Sequence, residues 1–271
     1  MLLSSHDQLQ QCVFLTDDKQ HVAKYKELCL TSVYQPIFDR YSQAIGLEAL
    51  VRISTDDNQI IRPDLFFGSD LVSLSDKINV ERLSRVIHIR NFSRSPYRDL
   101  HLFLNVLPSS GEFYAFEDMR INLLSKRLNQ LNLSATQLVM EVVELDARNE
   151  QCLQKAMHRL STRGFQIAID DYGMQASNSK RVELLKPNVI KIDRSLLLEY
   201  MEGRCKALLN GIVLARKIGA KVVVEGIETE QQYQAMLALD VDLFQGYYLA
   251  IPKPLEMVEI TTLHNSKRSI N

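Results

Sequence analysis

Six short apolar runs, each containing or followed by a polar residue, constrain the fold of this chain more than any other feature of its sequence. Stretches of Leu, Val and Ile of this length are typical of buried strands. The polar residues are Glu48, Asn105, Glu141, Asp170 with Asp171, Lys191 and Glu225. A carboxylate within a buried strand is costly unless something pairs with it. A salt bridge with Arg52 explains Glu48 alone, but it does not explain why the pattern recurs.

The order of predicted strands and helices indicates an α/β fold, a TIM-like (β/α)8 barrel with an antiparallel first strand. The predicted strands are 32–39, 46–53, 100–107, 137–144, 166–172, 189–194, 221–227 and 243–250, and helical segments separate most of them. Only residues 40–45 lie between the first two strands, which is too short for a parallel crossover, so these strands are predicted to be antiparallel neighbours. Pro36 predicts an edge or irregular position for the first strand. An open doubly wound sheet is the rival, but no GxGxxG loop follows an early strand.

The domain prediction places one barrel domain between two short polar segments. Residues 1–30 are predicted to be an N-terminal extension with a helix near 19–29, residues 31–258 the barrel, and residues 259–271 a C-terminal tail. Two helices are predicted at 64–92 and 195–218, the second with a break at Gly203, and a last helix is predicted to begin near Pro254.

Composition excludes several classes of protein. The formal net charge is −1, which does not predict binding to long nucleic acid. The four cysteines form no CxxC pair, which argues against a structural zinc site and against a disulfide scaffold. No apolar run approaches 18 residues, and no signal peptide is evident, so we expect a cytoplasmic protein without a membrane span.

In a parallel barrel the carboxyl ends of the strands share one face, and that face carries the site. Five carboxylates are predicted to converge there with Asn105, whereas Lys191 supplies one positive charge. Divalent cations are the natural compensation, and an oxygen-only set of ligands suits Mg²⁺ or Mn²⁺, with two ions for a phosphoester. Lys191 is a candidate to orient the attacking water, and Glu225 is a candidate to accept its proton.

Each of these residues also has a structural interpretation when it is taken alone. Asn105 can be a turn residue, Lys191 and Asp193 can form a surface pair, Glu228 can be an acid in the first turn of a helix, and Gln245 can mark a strand bend. The functional interpretation depends on their coincidence at equivalent strand ends.

The ordered motifs resemble those of the EAL-domain cyclic di-GMP phosphodiesterases over roughly residues 30 to 258. They are Tyr34-Gln35-Pro36-Ile37, Glu48-Ala49-Leu50 with Arg52, Asn105, Glu141-Val142-Val143-Glu144, Asp170-Asp171-Tyr172-Gly173, Lys191-Ile192-Asp193, Glu225-Gly226-Ile227-Glu228 and Gln245-Gly246-Tyr247. Each motif alone is weak, but their joint order and spacing are specific. Val143 stands where the family has threonine.

The resemblance implies hydrolysis of cyclic di-GMP to linear pGpG with Mg²⁺ or Mn²⁺. It implies metal ligation by Glu48, Asn105, Glu141, Asp170, Asp171 and Glu225, and catalytic roles for Glu48, Lys191 and Glu225. It implies substrate contacts by Gln35, Leu50, Arg52 and Gln245, and it makes Glu144 the anchor of the loop after the fifth strand. It also implies a homodimer.

The loop at residues 174–178 departs from the family pattern, because a glycine and an aromatic residue are missing from it. We therefore expect weakened hydrolysis, which dimerisation or a regulatory protein partner could restore. The alternative is a catalytically weak or inactive cyclic di-GMP receptor, or a protein-binding regulator, on the same barrel. A different metal-assisted barrel enzyme, such as a lyase, is a third interpretation.

Overall fold

The chain forms a closed barrel whose strands come from both ends of the sequence. The computed structural model describes residues 2–3, 5–106, 118–143, 150–173, 182–183 and 185–257. The strands within these residues are β1 (Val13–Leu15), β2 (His21–Tyr25), β3 (Leu28–Asp39), β4 (Ala44–Thr55), β5 (Ile60–Ile61), β6 (His101–Val106), β7 (Leu138–Val143), β8 (Gln166–Tyr172), β9 (Val189–Ile192), β10 (Lys221–Val224) and β11 (Leu243–Phe244).

Eight of these strands, β3, β4 and β6 to β11, make up the barrel. Neighbouring strands from β4 through β6 to β11 are parallel. β3 closes the ring because it pairs antiparallel with β4 along its length and with β11 near Phe38 and Asp39. The predicted barrel with an antiparallel first strand is therefore confirmed. Pro36 is not at an edge, because β3 has a partner strand on each side, but the irregularity predicted as the alternative is present: the register of β3 against β4 shifts between Ile37 and Phe38.

Helices cover the outside of the barrel. The described helices are α1 (His6–Gln11), α2 (Pro63–Gly68), α3 (Leu74–Ser93), α4 (Asp118–Gln130), α5 (Glu150–Thr162), α6 (Arg194–Met201), α7 (Lys206–Ile218) and α8 (Glu230–Leu237). The single helix predicted over 64–92 is two helices, because residues 69–73 leave the helical conformation before Ser73 caps α3. The predicted break near Gly203, where φ is +89°, is present between α6 and α7.

The N-terminal segment differs from its prediction. The helix expected near 19–29 is wrong, because β1 and β2 form a hairpin that extends the sheet from β3. Its side chains Val13, Ala23 and Tyr25 are buried against the helix α3 and the strand β4 in one apolar cluster. Burial on one face of a strand explains why this segment forms a sheet rather than a helix.

Two further expectations at the C-terminal end differ from the structure. The eighth strand, predicted over 243–250, pairs only at Leu243 and Phe244, and the chain turns after it. Residues 254–257 are not helical, and the rest of the last predicted helix lies outside the described residues. No helix in the described part of the chain has the length and apolar character that crossing a membrane requires.

Candidate active site

The site lies one layer above the apolar interior of the barrel. The apolar layer consists of Ile37, Phe103, Val139, Ala168, Val189, Val223 and Leu243. Because residues two apart on a strand face the same side, the residues two positions nearer the mouth also face the interior. These residues are Gln35, Asn105, Glu141, Asp170, Lys191, Glu225 and Gln245, and Glu48 on β4 lies opposite Gln35 in the sheet register. Each of the eight barrel strands thus positions one residue of this ring, with Glu225 and Gln245 directly after the last residues of β10 and β11.

Lys191 lies at the centre of the ring. Its side chain is 1% exposed, and its Nζ is 2.6 Å from Glu141 Oε1, 2.7 Å from Glu225 Oε1, 2.9 Å from Asp170 Oδ1 and 3.5 Å from Glu48 Oε2. Burial acts to lower the pKa of Lys191, but the four carboxylates raise it well above its usual value. The Lys191 side chain is therefore a buried ammonium ion shared by four acids, not part of a surface pair.

The carboxylates of this cluster are not neutralised by one lysine. Burial raises the pKa of Glu141 well above its usual value, the Lys191 charge opposes that shift, and Glu48 and Asp170 add to it. Burial likewise raises the pKa of Glu225, opposed by Lys191 and reinforced by Asp170 and Glu48. Both directions follow from placing several like charges out of water. When they are ionised, these acids outnumber the one positive charge, and the raised pKa values of Glu141 and Glu225 are the response to that excess of negative charge and to burial.

Glu48 is held by two amide side chains. Gln245 Nε2 donates to Glu48 Oε2 at 2.7 Å, and Asn105 Nδ2 donates to Glu48 Oε1 at 3.4 Å. Gln245 is 3% exposed and Glu48 is 8% exposed. The two contacts fix the orientation of the Glu48 carboxylate at the mouth of the barrel, and they use the Gln245 amide group that was predicted to contact substrate.

Asp170 and Asp171 reach the same place although they are adjacent in sequence. The register of β8 against β9 shifts between Ile169 and Tyr172, and Asp171 has a φ of 54°. This irregularity lets both carboxylates approach Glu225, so that one oxygen from each of the three acids lies within 4.8 Å of the others. Burial, followed by the charge of Asp170, raises the pKa of Asp171 to about 6.

Within the described part of the chain, the other residues predicted to contact substrate form no hydrogen bond or ion pair with Lys191 or its carboxylates. Gln35 is 8% exposed, and its Nε2 donates to the Ala250 carbonyl at 3.1 Å. Leu50 is half-buried, and Arg52 is exposed with its guanidinium donating to the Val51 carbonyl at 3.1 Å. Both continue the interior-facing side of β4 toward the mouth. Glu144 and the loop at 174–178 lie outside the described residues.

The residues present fit a divalent cation. The three acids that approach one another supply oxygen ligands, which hard cations prefer. Glu141 Oε2 is buried without a hydrogen-bond donor among the described residues, and Glu141 Oε1 and Asp170 Oδ1 are buried against the shared Lys191 ammonium, at 2.6 Å and 2.9 Å. Buried carboxylate oxygens in this state are suited to metal ligation, since a cation would satisfy both their charge and their lone pairs.

Two glycines of the site were not assigned roles from the sequence. A Cβ at Gly246 would lie 2.0 Å from the Ile227 carbonyl oxygen, so any side chain there would displace the segment that carries Gln245. A Cβ at Gly46 would lie 2.7 Å from Phe103 Cε2, in the apolar layer below Glu48. Gly246 directly follows Gln245 and Gly46 lies two residues before Glu48, and this proximity in the sequence is the signal that could have identified them.

Comparison with known proteins gives a consistent result. The family model described as EAL domain matches residues 23–252. The chain is 30% identical over 234 residues to the probable cyclic di-GMP phosphodiesterase PdeD of Escherichia coli K12, a match covering 82% of this chain and 41% of that protein. It is 28% identical over 212 residues to the cyclic di-GMP phosphodiesterase PdeF of the same organism, covering 77% of this chain and 28% of that protein.

Among solved structures, the Bacillus subtilis protein YkuI, with an EAL domain and in complex with cyclic di-GMP and calcium, matches with a TM-score of 0.73 and 28% identity. The match covers 84% of this chain and 57% of that one. This chain therefore spans less than half the length of PdeD and PdeF, and less than two thirds of YkuI.

Proposed function

Because this chain belongs to the EAL domain family, we propose that it is a metal-dependent phosphodiesterase that hydrolyses cyclic di-GMP to linear pGpG. The ring of carboxylates around Lys191 carries this proposal, since such a ring suits a cation-assisted reaction on a phosphoester. The names of PdeD and PdeF, and the substrate complex of YkuI, support the choice of substrate.

The chemistry assigns different tasks to different residues of the ring. Divalent ions held by Glu48, Asn105, Glu141, Asp170, Asp171 and Glu225 would supply the positive charge that neutralises the phosphate. Glu225 accepts a proton from the attacking water, and Lys191 orients that water. The water oxygen bonds to phosphorus as the bond to the 3′ oxygen breaks, and the leaving 3′ oxygen takes up a proton from solvent, to which Glu225 returns the proton it accepted. The products are a 5′ phosphate and a 3′ hydroxyl on one linear dinucleotide.

Substrate binding is proposed to use the part of β4 above Glu48. Arg52 is exposed at the mouth, and a guanidinium there can bind a phosphate through two donors. Leu50 and Gln35 flank the same opening and are proposed as further contacts. Gln245 is better supported as the residue that orients Glu48, because its amide nitrogen already donates to that carboxylate.

The finer features of this proposal concern ions, assembly and regulation. We propose Mg²⁺ or Mn²⁺ as the physiological cations, two ions in each site, and action in the cytoplasm. A homodimer is supported by Leu209 and Val213, which lie one turn apart on α7 and are 40% and 65% exposed. The barrel domain at 31–258, the loop-anchoring role of Glu144 and a regulatory protein partner are proposed from the resemblance.

The direct test is to incubate the purified protein with cyclic di-GMP and Mn²⁺ and to measure pGpG by chromatography. Glu48→Gln should abolish the product while the protein stays folded. Glu81→Gln is the matched control, because it makes the same change in a buried carboxylate of α3 outside the ring. Binding of cyclic di-GMP without any product would support the receptor alternative instead. Product formation at the wild-type rate by Glu48→Gln would remove Glu48 from the site.

A further inference from the structure

The contacts of Lys191 point to a role that does not require a substrate. Four carboxylates lie within 3.5 Å of its ammonium group, and the side chain is 1% exposed. Repulsion among these carboxylates acts on β4, β7, β8 and the end of β10 at once. Lys191 is the cation that the described residues place among them, so its charge bears on the stability of the barrel mouth.

The same carboxylates are those that would hold a divalent cation. Asp170 and Glu225 each contact Lys191, and both belong to the group of three acids whose oxygens lie within 4.8 Å of one another. An ammonium ion and a divalent ion that share two carboxylates repel each other and compete for the same oxygens. The charge of Lys191 must therefore weaken the binding of a divalent cation at this group.

We propose that Lys191 is the built-in counter-ion of the ring: it stabilises the barrel when no divalent cation is bound and limits the affinity of the cation that binds. This inference rests on the proposed function only in taking a divalent cation as the ligand of the acids. It does not depend on hydrolysis. If Lys191 only oriented the attacking water, its replacement would change neither the stability of the protein nor its affinity for a divalent cation.

Thermal unfolding of Lys191→Met tests the proposal without any measurement of activity. Methionine keeps much of the length of the side chain and removes its charge. In the presence of a chelator, the Tm of the variant should lie below that of the wild type by about 5 °C or more, as expected when buried charges lose their partner. In a titration with Mn²⁺, the midpoint of the Tm increase should move to a concentration at least about tenfold lower, because the repelling charge is gone.

Two controls keep the result interpretable. Lys217→Met removes a lysine from an exposed pair with Glu183, whose atoms are 2.7 Å apart, and it should change neither Tm nor the Mn²⁺ midpoint. If Lys191→Met does not fold in chelator, the double variant Glu141→Gln with Lys191→Met should fold there, because one unpaired carboxylate is also removed.

The outcomes separate this inference from the proposed function. A lowered Tm together with a lowered Mn²⁺ midpoint supports the counter-ion role even if no pGpG is ever formed. A Tm at or above that of the wild type in chelator, or an unchanged or higher Mn²⁺ midpoint, overturns it even if the wild type is an active phosphodiesterase. Failure of the double variant to fold in chelator, when the single variant also fails, overturns it as well.

Discussion

The excess of negative charge in the ring predicts that replacing Glu141 by glutamine stabilises the protein without metal. Glu141 is fully buried, and its charge is opposed by Lys191 but lies near the charges of Glu48 and Asp170. Removing one partner of a buried ion pair usually destabilises a protein, because the other charge is left alone. Here Lys191 keeps Asp170 at 2.9 Å and Glu225 at 2.7 Å, so no isolated charge results.

The magnitude follows from the charges that surround Glu141. Two unit charges about 4 Å apart interact by about 4 kcal/mol at an effective dielectric constant of about 20. Burial is the largest cost of the Glu141 charge, and the repulsion by Glu48 and Asp170 offsets part of the attraction by Lys191, so the attraction does not repay that cost. Allowing for relaxation, we expect Glu141→Gln to raise the free energy of unfolding by about 1 to 3 kcal/mol, equivalent to about 3 to 10 °C in Tm for a chain of this size.

The assay is thermal unfolding in chelator and then in Mn²⁺, followed by circular dichroism. The variant should melt at a higher temperature than the wild type in chelator, and Mn²⁺ should raise its Tm by less, since one ligand has been lost. Glu81→Gln is the matched control, because Glu81 is also buried but forms an ion pair with Arg85 on α3, outside the ring. The same substitution there should lower the Tm.

A lower Tm for Glu141→Gln in chelator would refute this reasoning, because it would mean that the contact with Lys191 outweighs the repulsion. If Mn²⁺ raises the Tm of the variant by as much as it raises that of the wild type, Glu141 is not one of the metal ligands. If both buried glutamates respond with the same sign, the effect belongs to the substitution itself and not to the charge balance of the ring.

Three further predictions address substrate, cation and pH. Arg52→Ala should weaken cyclic di-GMP binding by about tenfold in calorimetry and leave the Mn²⁺ midpoint of Tm unchanged, whereas unchanged substrate affinity would exclude a phosphate contact. Ca²⁺ should raise the Tm but inhibit hydrolysis in competition with Mn²⁺, because its looser geometry misplaces the water, and full activity with Ca²⁺ alone would contradict this. Burial, with a smaller effect of Arg85, lowers the pKa of His88 to about 3. The unfolded chain therefore binds the additional proton below about pH 6.5, so stability should fall by about 2 kcal/mol from pH 8 to pH 5 through this group. His88→Gln should remove that part of the pH dependence of the free energy of unfolding, which urea unfolding at several pH values measures. An identical pH dependence in the variant would exclude His88 as its source.

The ring could be predicted from the sequence because its members obey the periodicity of strands. Val139 and Glu141, or Val189 and Lys191, are two residues apart, so an apolar interior position predicts a polar one at the mouth. Parallel pairing then brings successive mouth positions together, which the register of Asn105 against Glu141 illustrates. Strand periodicity and parallel pairing are enough for this prediction, and no contact between distant parts of the chain has to be known apart from the barrel pairing.

The N-terminal hairpin could not be predicted in the same way. β1 has three residues and β2 has five, which is too short for alternation to be distinguished from chance. The turns that bound β2 place Lys19 and Lys26 at φ of 62° and 54°, without the glycine or asparagine that usually marks such positions. Long-range pairing of β2 with β3 determines this segment, and local sequence preference does not.

The environment of Lys191 depends on closure of the barrel, and this is why its sequence context was ambiguous. A lysine two residues before Asp193 is compatible with a surface pair, and in the structure Asp193 instead caps α6 through Ser195 N at 2.8 Å. Asp170 and Glu225 reach Lys191 from the strands on either side of β9, and Glu141 reaches it from the strand beyond β8. Glu48 on β4 approaches from across the barrel, which requires β3 to join β4 to β11. The same antiparallel strand that closes the barrel therefore adds Glu48 to the carboxylates around Lys191. A change that opens the β3–β11 pairing should loosen the ring without altering any of its residues.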